Sequence, residues 1–160
     1  ITRAGAVSFT SSTALSVTVT LASGSYYVRV ENNDGNAGRS ANAIITASTA
    51  PVWSTAAGSL GTIAGDFSGT VATVAATSDS AITYSEVSSP AVLIGSGSGQ
   101  ANCALNSSTG AITTTDFGGS STAATLYTFT LRATDAEGQT ADRVFTLQSS
   151  FGATGGGQFN

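Results

Sequence analysis

From Tyr127 to Leu147 the chain reads Tyr-Thr-Phe-Thr-Leu-Arg-Ala-Thr, then Asp-Ala-Glu-Gly, then a second run ending Val-Phe-Thr-Leu. Tyr127, Phe129, Leu131 and Ala133 fall on one face of a period-two pattern, and Thr128, Thr130, Arg132 and Thr134 on the other. That is the signature of a strand with one face buried and one face in water. The spacing predicts a turn over Asp135–Gly138, with Gly138 supplying the positive φ that a tight turn needs. The chain is therefore constrained to an antiparallel sheet that buries one face, and helical periodicity is found nowhere along it.

Composition narrows what such a sheet can do. Of 160 residues, 41% are hydrophobic but only 9% are charged, so hydroxyls and amides must supply the water-facing surface. Threonine suits this role because its β-branched side chain fits the pleat. The net charge of −4 and the lack of lysine argue against a nucleic-acid partner, which needs cations on phosphates. An anionic membrane surface is disfavoured for the same reason. No apolar run approaches the roughly 18 residues of a membrane span, and no membrane insertion is expected. There is no histidine, so a Ser/His or Cys/His nucleophile pair and an imidazole metal ligand are excluded. Without lysine there is no Schiff base. Cys103 is the single cysteine, so no intrachain disulfide is possible, and its neighbours on the same face, Ala101 and Leu105, mark it as a small core residue. Beginning at Ile1 in the middle of a pattern, the chain is expected to be processed or to continue a longer polypeptide.

The pattern divides the chain. Residues 1–47 contain strands near Val7–Thr10, Leu15–Leu21 and Tyr26–Glu31, an Asn32-Asn-Asp-Gly35 turn, and a returning strand over Ala41–Ala47. Four strands are too few for a free-standing sandwich. Residues 48–51, Ser-Thr-Ala-Pro, form a linker, since Pro51 holds Ala50 extended. Residues 52–148 carry nine short strands: Val52–Ser54, Leu60–Ala64, Gly69–Ala76, Ala81–Val87, Ala91–Ile94, Ala101–Leu105, Gly110–Thr115, Thr125–Asp135 and Thr140–Gln148. Residues 149–160 are Gly-rich and read as a flexible tail. The fold class is all-β: tandem antiparallel β-sandwiches, the first incomplete.

Two resemblances refine this. Gly24-Ser-Tyr-Tyr-Val-Arg-Val-Glu-Asn-Asn-Asp-Gly35 resembles the core of the C-terminal part of an IPT/TIG domain, an Ig-like module whose opening strands are missing here. They are expected either before Ile1 or from a neighbour. Pro51-Val-Trp53, Ala81-Ile-Thr-Tyr-Ser85, Leu105-Asn-Ser-Ser-Thr-Gly-Ala-Ile112 and Tyr127–Gly138 together resemble the cadherin-like (dystroglycan-type) Ig-like modules of phage and bacterial surface proteins. Such a pairing implies a non-enzymatic virion structural protein: a capsid fibre, decoration or tail-fibre component at the virion surface or outside the cell. The alternative is a stalk, adhesin or carbohydrate-binding module of a secreted or cell-surface bacterial protein. The partners implied are other virion or surface structural subunits, in repeated copies or a homo-oligomer, with a host-surface glycan as a further partner.

The cadherin resemblance raises calcium, which such modules hold with carboxylates. The expected Asp-x-Asp is replaced by Ser78-Asp79-Ser80, and Asp135 alone matches a ligating position. No cofactor or metal is expected; the nearest approach to a cation set is Asp135 and Glu137 with Asp142 from across the hairpin. Asp66, Asp79, Glu86 and Asp116 are read as solvated turn residues rather than a glycosidase pair. Trp53 is a candidate core plug or module-junction residue, and the tyrosines offer sugar-stacking rings. Tyr27, on the face opposite Val28 and Val30, stands with Arg29 as the candidate protein interface, since both residue types are enriched at interface hot spots. Asn106-Ser-Ser108 matches a glycan-acceptor pattern inside a predicted turn.

Overall fold

The computed structural model describes residues 6–11, 13–65, 67–118 and 124–150. It is all-β, with no helix among the described residues, and it divides into two compact units, Ile1–Ser48 and Thr49–Asn160. The glycine-rich tail lies outside the described residues from Phe151 onward. Ser149 and Ser150 belong to the last strand.

The first unit contains β1 (Ala6–Ser11), β2 (Ala14–Thr18), β3 (Gly24–Tyr26), β4 (Arg29–Glu31), β5 (Ala37–Arg39) and β6 (Ile45–Ala47). β1 and β2 pair antiparallel, with Val7 opposite Val17 and Phe9 opposite Leu15. The rest is one interrupted hairpin, β3 with β6 and β4 with β5. Its turn is where the Asp34-Gly35 signal puts it: Gly35 N donates to Asn32 O at 3.0 Å, and the Asp34 carboxylate accepts from Asn36 N and Nδ2. Those two hydrogen bonds hold the Asp34 carboxyl below its ordinary value. Because the turn is so tight, pairing resumes at Ala37 rather than at Ala41, and residues 41–44 bulge before β6. None of the residues in this unit whose side chains are described is buried. Leu15, Val17, Val30 and Ile44 stand exposed.

The second unit contains β7 (Val52–Trp53), β8 (Gly58–Ala64), β9 (Gly69–Thr73), β10 (Ala76–Thr77), β11 (Thr83–Glu86), β12 (Cys103–Leu105), β13 (Ala111–Thr114), β14 (Leu126–Thr134) and β15 (Thr140–Ser150). One sheet has the order β11-β14-β15-β8, a second β12-β13-β9, and β10 pairs with β7. The expected hairpin is present: β14 and β15 pair from Leu126–Gln148 to Thr134–Thr140, and Gly138 has φ 86° in the turn. Tyr127, Phe129, Leu131 and Ala133 are all buried, as the alternation requires.

Besides the division of the strand expected over Gly69–Ala76 into β9 and β10, which pair with different strands, two details depart from the expectation. β8 lies parallel to β15, so the sandwich is not antiparallel throughout. These strands are far apart in sequence, so no hairpin forces them antiparallel. The second departure is Ala91–Ile94, which makes one isolated bridge, Ile94 with Cys103, instead of a strand. The Val92, Leu93 and Ile94 amides are taken by a side chain, Glu86, and are not available to a ladder.

The core joins both sheets through Phe117, Phe129, Phe145, Leu93, Ile112, Leu131 and Leu147, all with essentially no exposure. Trp53 packs edge-on to Phe145 at 5.3 Å and against Tyr84 at 5.7 Å, and its Nε1 donates to Ala141 O at 3.0 Å. A buried indole with its N–H satisfied is a core plug. Gly110 shows why the Asn-Ser-Ser-Thr-Gly turn ends in glycine. Its φ is 70°, and a Cβ there would collide with the Val74 carbonyl.

Candidate functional site

The β14–β15 turn is held by its own first residue. Asp135 is buried, and its Oδ1 accepts from Gln139 N at 2.7 Å and Glu137 N at 3.1 Å. Ser80 ties the loop before β11 to this turn, accepting from Ala136 N at 3.1 Å and donating to Glu137 Oε2. That tie brings Asp79 in. Ligand oxygens of Asp79, Asp135 and Glu137 all lie within 4.8 Å of one another. Asp79 is itself oriented by Thr49 N, which donates to its Oδ2 at 3.2 Å, and by Ser78 Oγ, which donates to its Oδ1 at 3.2 Å.

Of the three residues expected to approach a cation, Asp135 and Glu137 are brought together and Asp142 is not. Asp142 sits in β15 opposite Arg132, on the outer face, and the guanidinium grips it with two bonds of 2.7 and 2.8 Å. This pairing lowers the Asp142 carboxyl below its ordinary range and raises Arg132 above its own. Asp79, from the Ser78-Asp79-Ser80 loop before β11, takes the place expected of Asp142. Three carboxylates suit a hard divalent cation, which prefers six to eight oxygens. Several of their oxygens already accept hydrogen bonds from the protein, so waters would have to complete such a shell.

The other singled-out residues are placed as follows. Tyr27 is exposed, but the cation over its ring is Arg39, 4.3 Å from the centroid. Arg29 instead pairs with Glu31 at 3.0 Å, both well exposed. Asn106 is a turn former: its Oδ1 accepts from Ser108 N and Thr109 N at 3.0 Å each. Cys103 is buried, and burial pushes its thiol up to about 12. A thiol so protonated at neutral pH is a poor nucleophile. Asp66 lies outside the described residues, and Asp116 is exposed. Glu86, expected to be a solvated turn residue, is partly buried and bonded to three backbone amides. The missed signal is alternation, because Glu86 shares its strand face with Tyr84.

Comparison with known proteins places this geometry. No family model matches the sequence, and no curated protein matches it. Among solved structures, the chain is similar to protocadherin gammaB7 domains EC3-6 in a cis-dimer structure, with TM-score 0.54 and 14% identity over 91% of this chain and 39% of that one. It is also similar to the human desmocollin-1 ectodomain, with TM-score 0.50 and 16% identity over 75% of this chain and 24% of that one. The likeness is one of fold. The chain has the Ig-like β-sandwich architecture of cadherin extracellular domains, and it spans well under half the length of these structures. No helix among the described residues is long and apolar enough to cross a membrane.

Proposed function

We propose that the chain is a non-enzymatic structural component of a virion surface, a capsid fibre, decoration or tail-fibre component that assembles through its Ig-like modules. The observation that carries this reading is the first unit. Its strands pair, yet Leu15, Val17 and Val30 on them remain exposed, which leaves a sheet surface for a neighbouring subunit to cover. Two-stranded ladders without a covered face are marginal in water. Strand donation by that neighbour is one way to complete the unit. The chemistry of the second unit agrees, since its thiol is buried and Glu86, Asp135 and Asp142 are committed to hydrogen bonds. Tyr27, with Arg39 stacked on it and Arg29 nearby in sequence, belongs to the contact surface in this account.

Electron microscopy of particles from the native source, with the chain located by mass spectrometry or antibody, tests the proposal. Repeated copies on a capsid or tail support it. Copies confined to a cell envelope overturn it in favour of a stalk, adhesin or carbohydrate-binding module.

That second reading has one observation in its favour, the convergence of Asp79, Asp135 and Glu137. Calcium-stiffened stalks need such clusters. Millimolar calcium would then raise the unfolding midpoint of the wild type, by linkage of binding to folding, and Asp79→Asn would abolish the rise. A midpoint indifferent to calcium in both proteins removes the cation from the account.

A further inference from the structure

Glu86 closes β11, and its pairing with Leu131 puts it on the core side of the sheet, in line with Tyr84. A carboxylate on that side must find donors, because an ionised group withdrawn from water without partners is costly. It finds three in succession. Val92 N donates to Oε1 at 2.7 Å, Leu93 N to Oε1 at 2.9 Å, and Ile94 N to Oε2 at 2.9 Å. Bonds of this kind to an ionised acceptor are the stronger ones.

The carbonyls of the same short segment engage the stretch that leads into β12. Val92 O accepts from Ala101 N at 2.8 Å and Leu93 O from Cys103 N at 3.1 Å, while Gln100 Nε2 donates to Ala91 O at 3.2 Å. Leu93 drops into the core with no exposure, and Cys103, bridged to Ile94 alongside the segment, is buried. β12 pairs with β13 on its other side, so Val92–Ile94 lies along what would otherwise be its open edge. On either side of the segment stand the exposed Ser89 and Pro90 and the loop Ser96–Gly99, which offer little packing of their own.

We propose that Val92–Ile94 is a strap latched by the Glu86 carboxylate, closing the edge of β12 and covering Cys103, and able to open while the rest of the sandwich stays folded. Edge strands present unpaired N–H and C=O groups to any passing strand, and proteins manage them with covers and inward-pointing charges. Here an inward glutamate binds all three amides of the cover. The strap has one isolated bridge and no ladder, so its attachment rests on the three amide–carboxylate bonds, the two backbone bonds from Ala101 and Cys103, and Leu93.

Cys103, the single cysteine of the chain, reports the opening. The experiment measures its labelling by excess thiol reagent in the full chain across low urea concentrations, for the wild type and Glu86→Gln. Glutamine keeps the shape but turns an NH2 toward donor amides. The expected result is labelling roughly tenfold or more faster in E86Q without urea, at a rate nearly independent of urea, as for a local opening. Equal rates in the two proteins, or rates that climb with urea as steeply as global unfolding does, overturn the proposal. A second measurement needs no variant. In the wild type the amides of Val92, Leu93 and Ile94 should exchange hydrogen together, and faster than those of Phe129 and Phe145. If they exchange only with the core, there is no separate strap.

Discussion

The two units are built by the same local rule and end in different states. In the second, alternation along β14 and β15 delivers Tyr127, Phe129, Phe145 and Leu147 to one face, and Ile112 of the second sheet and Phe117 of the turn after β13 join them in the core. In the first, Leu15, Val17 and Val30 occupy paired but shorter ladders and stay in water. Pairing sets which residues share a face, and only a covering layer turns that face into a core. The exposed apolar residues of the first unit are thus a face that none of its own described strands covers.

Mutations can break this comparison. Phe145→Ala should cost about 3–5 kcal/mol in urea unfolding, because it removes a fully buried ring that Trp53 and Phe129 both touch. Leu15→Ala in the first unit should cost no more than about 0.5 kcal/mol in the isolated chain. A large cost there would mean that the ladder is covered after all. Gly110→Ala comes next, at about 1–3 kcal/mol, since it forces a side chain into a positive φ and against the Val74 carbonyl.

The smallest effect belongs to the outer face of the second unit. Asp142 has a folded-state value below its unfolded one, so its contribution to stability is present above about pH 4 and is lost as pH falls through the lower folded value. Asp142→Asn should flatten only this acid limb of the stability curve, and added salt should shrink the wild-type limb, as for any exposed pair. The same variant should leave any calcium response unchanged, because Asp142 is held by Arg132 and does not belong to the carboxylate group.

How far the sequence reaches depends on the range of the interaction. The closing hairpin, its Gly138 turn, the buried face of β14 and the burial of Cys103 were all legible, because alternation and turn chemistry are local. The parallel placement of β8 beside β15 was not, since no local signal records which distant strand a chain will join. Asp79 reaches Asp135 and Glu137 only because Ser80 bonds across to the turn, a contact between loops more than fifty residues apart in sequence. Asp142 was expected to reach the turn from across the hairpin, and its cross-strand partner Arg132 holds it instead. Ala91–Ile94 has strand composition, but Glu86 takes the amides a strand would have used.

Native-state hydrogen exchange on the chain alone, at micromolar concentration, tests the central contrast most directly. The account predicts slow, cooperative exchange for the amides of Phe129, Phe145 and Leu147, and exchange near the unprotected rate for the ladder amides of β2, β4 and β5. Equal protection in both units, with the protein monomeric, would contradict it and show that the first unit needs no partner.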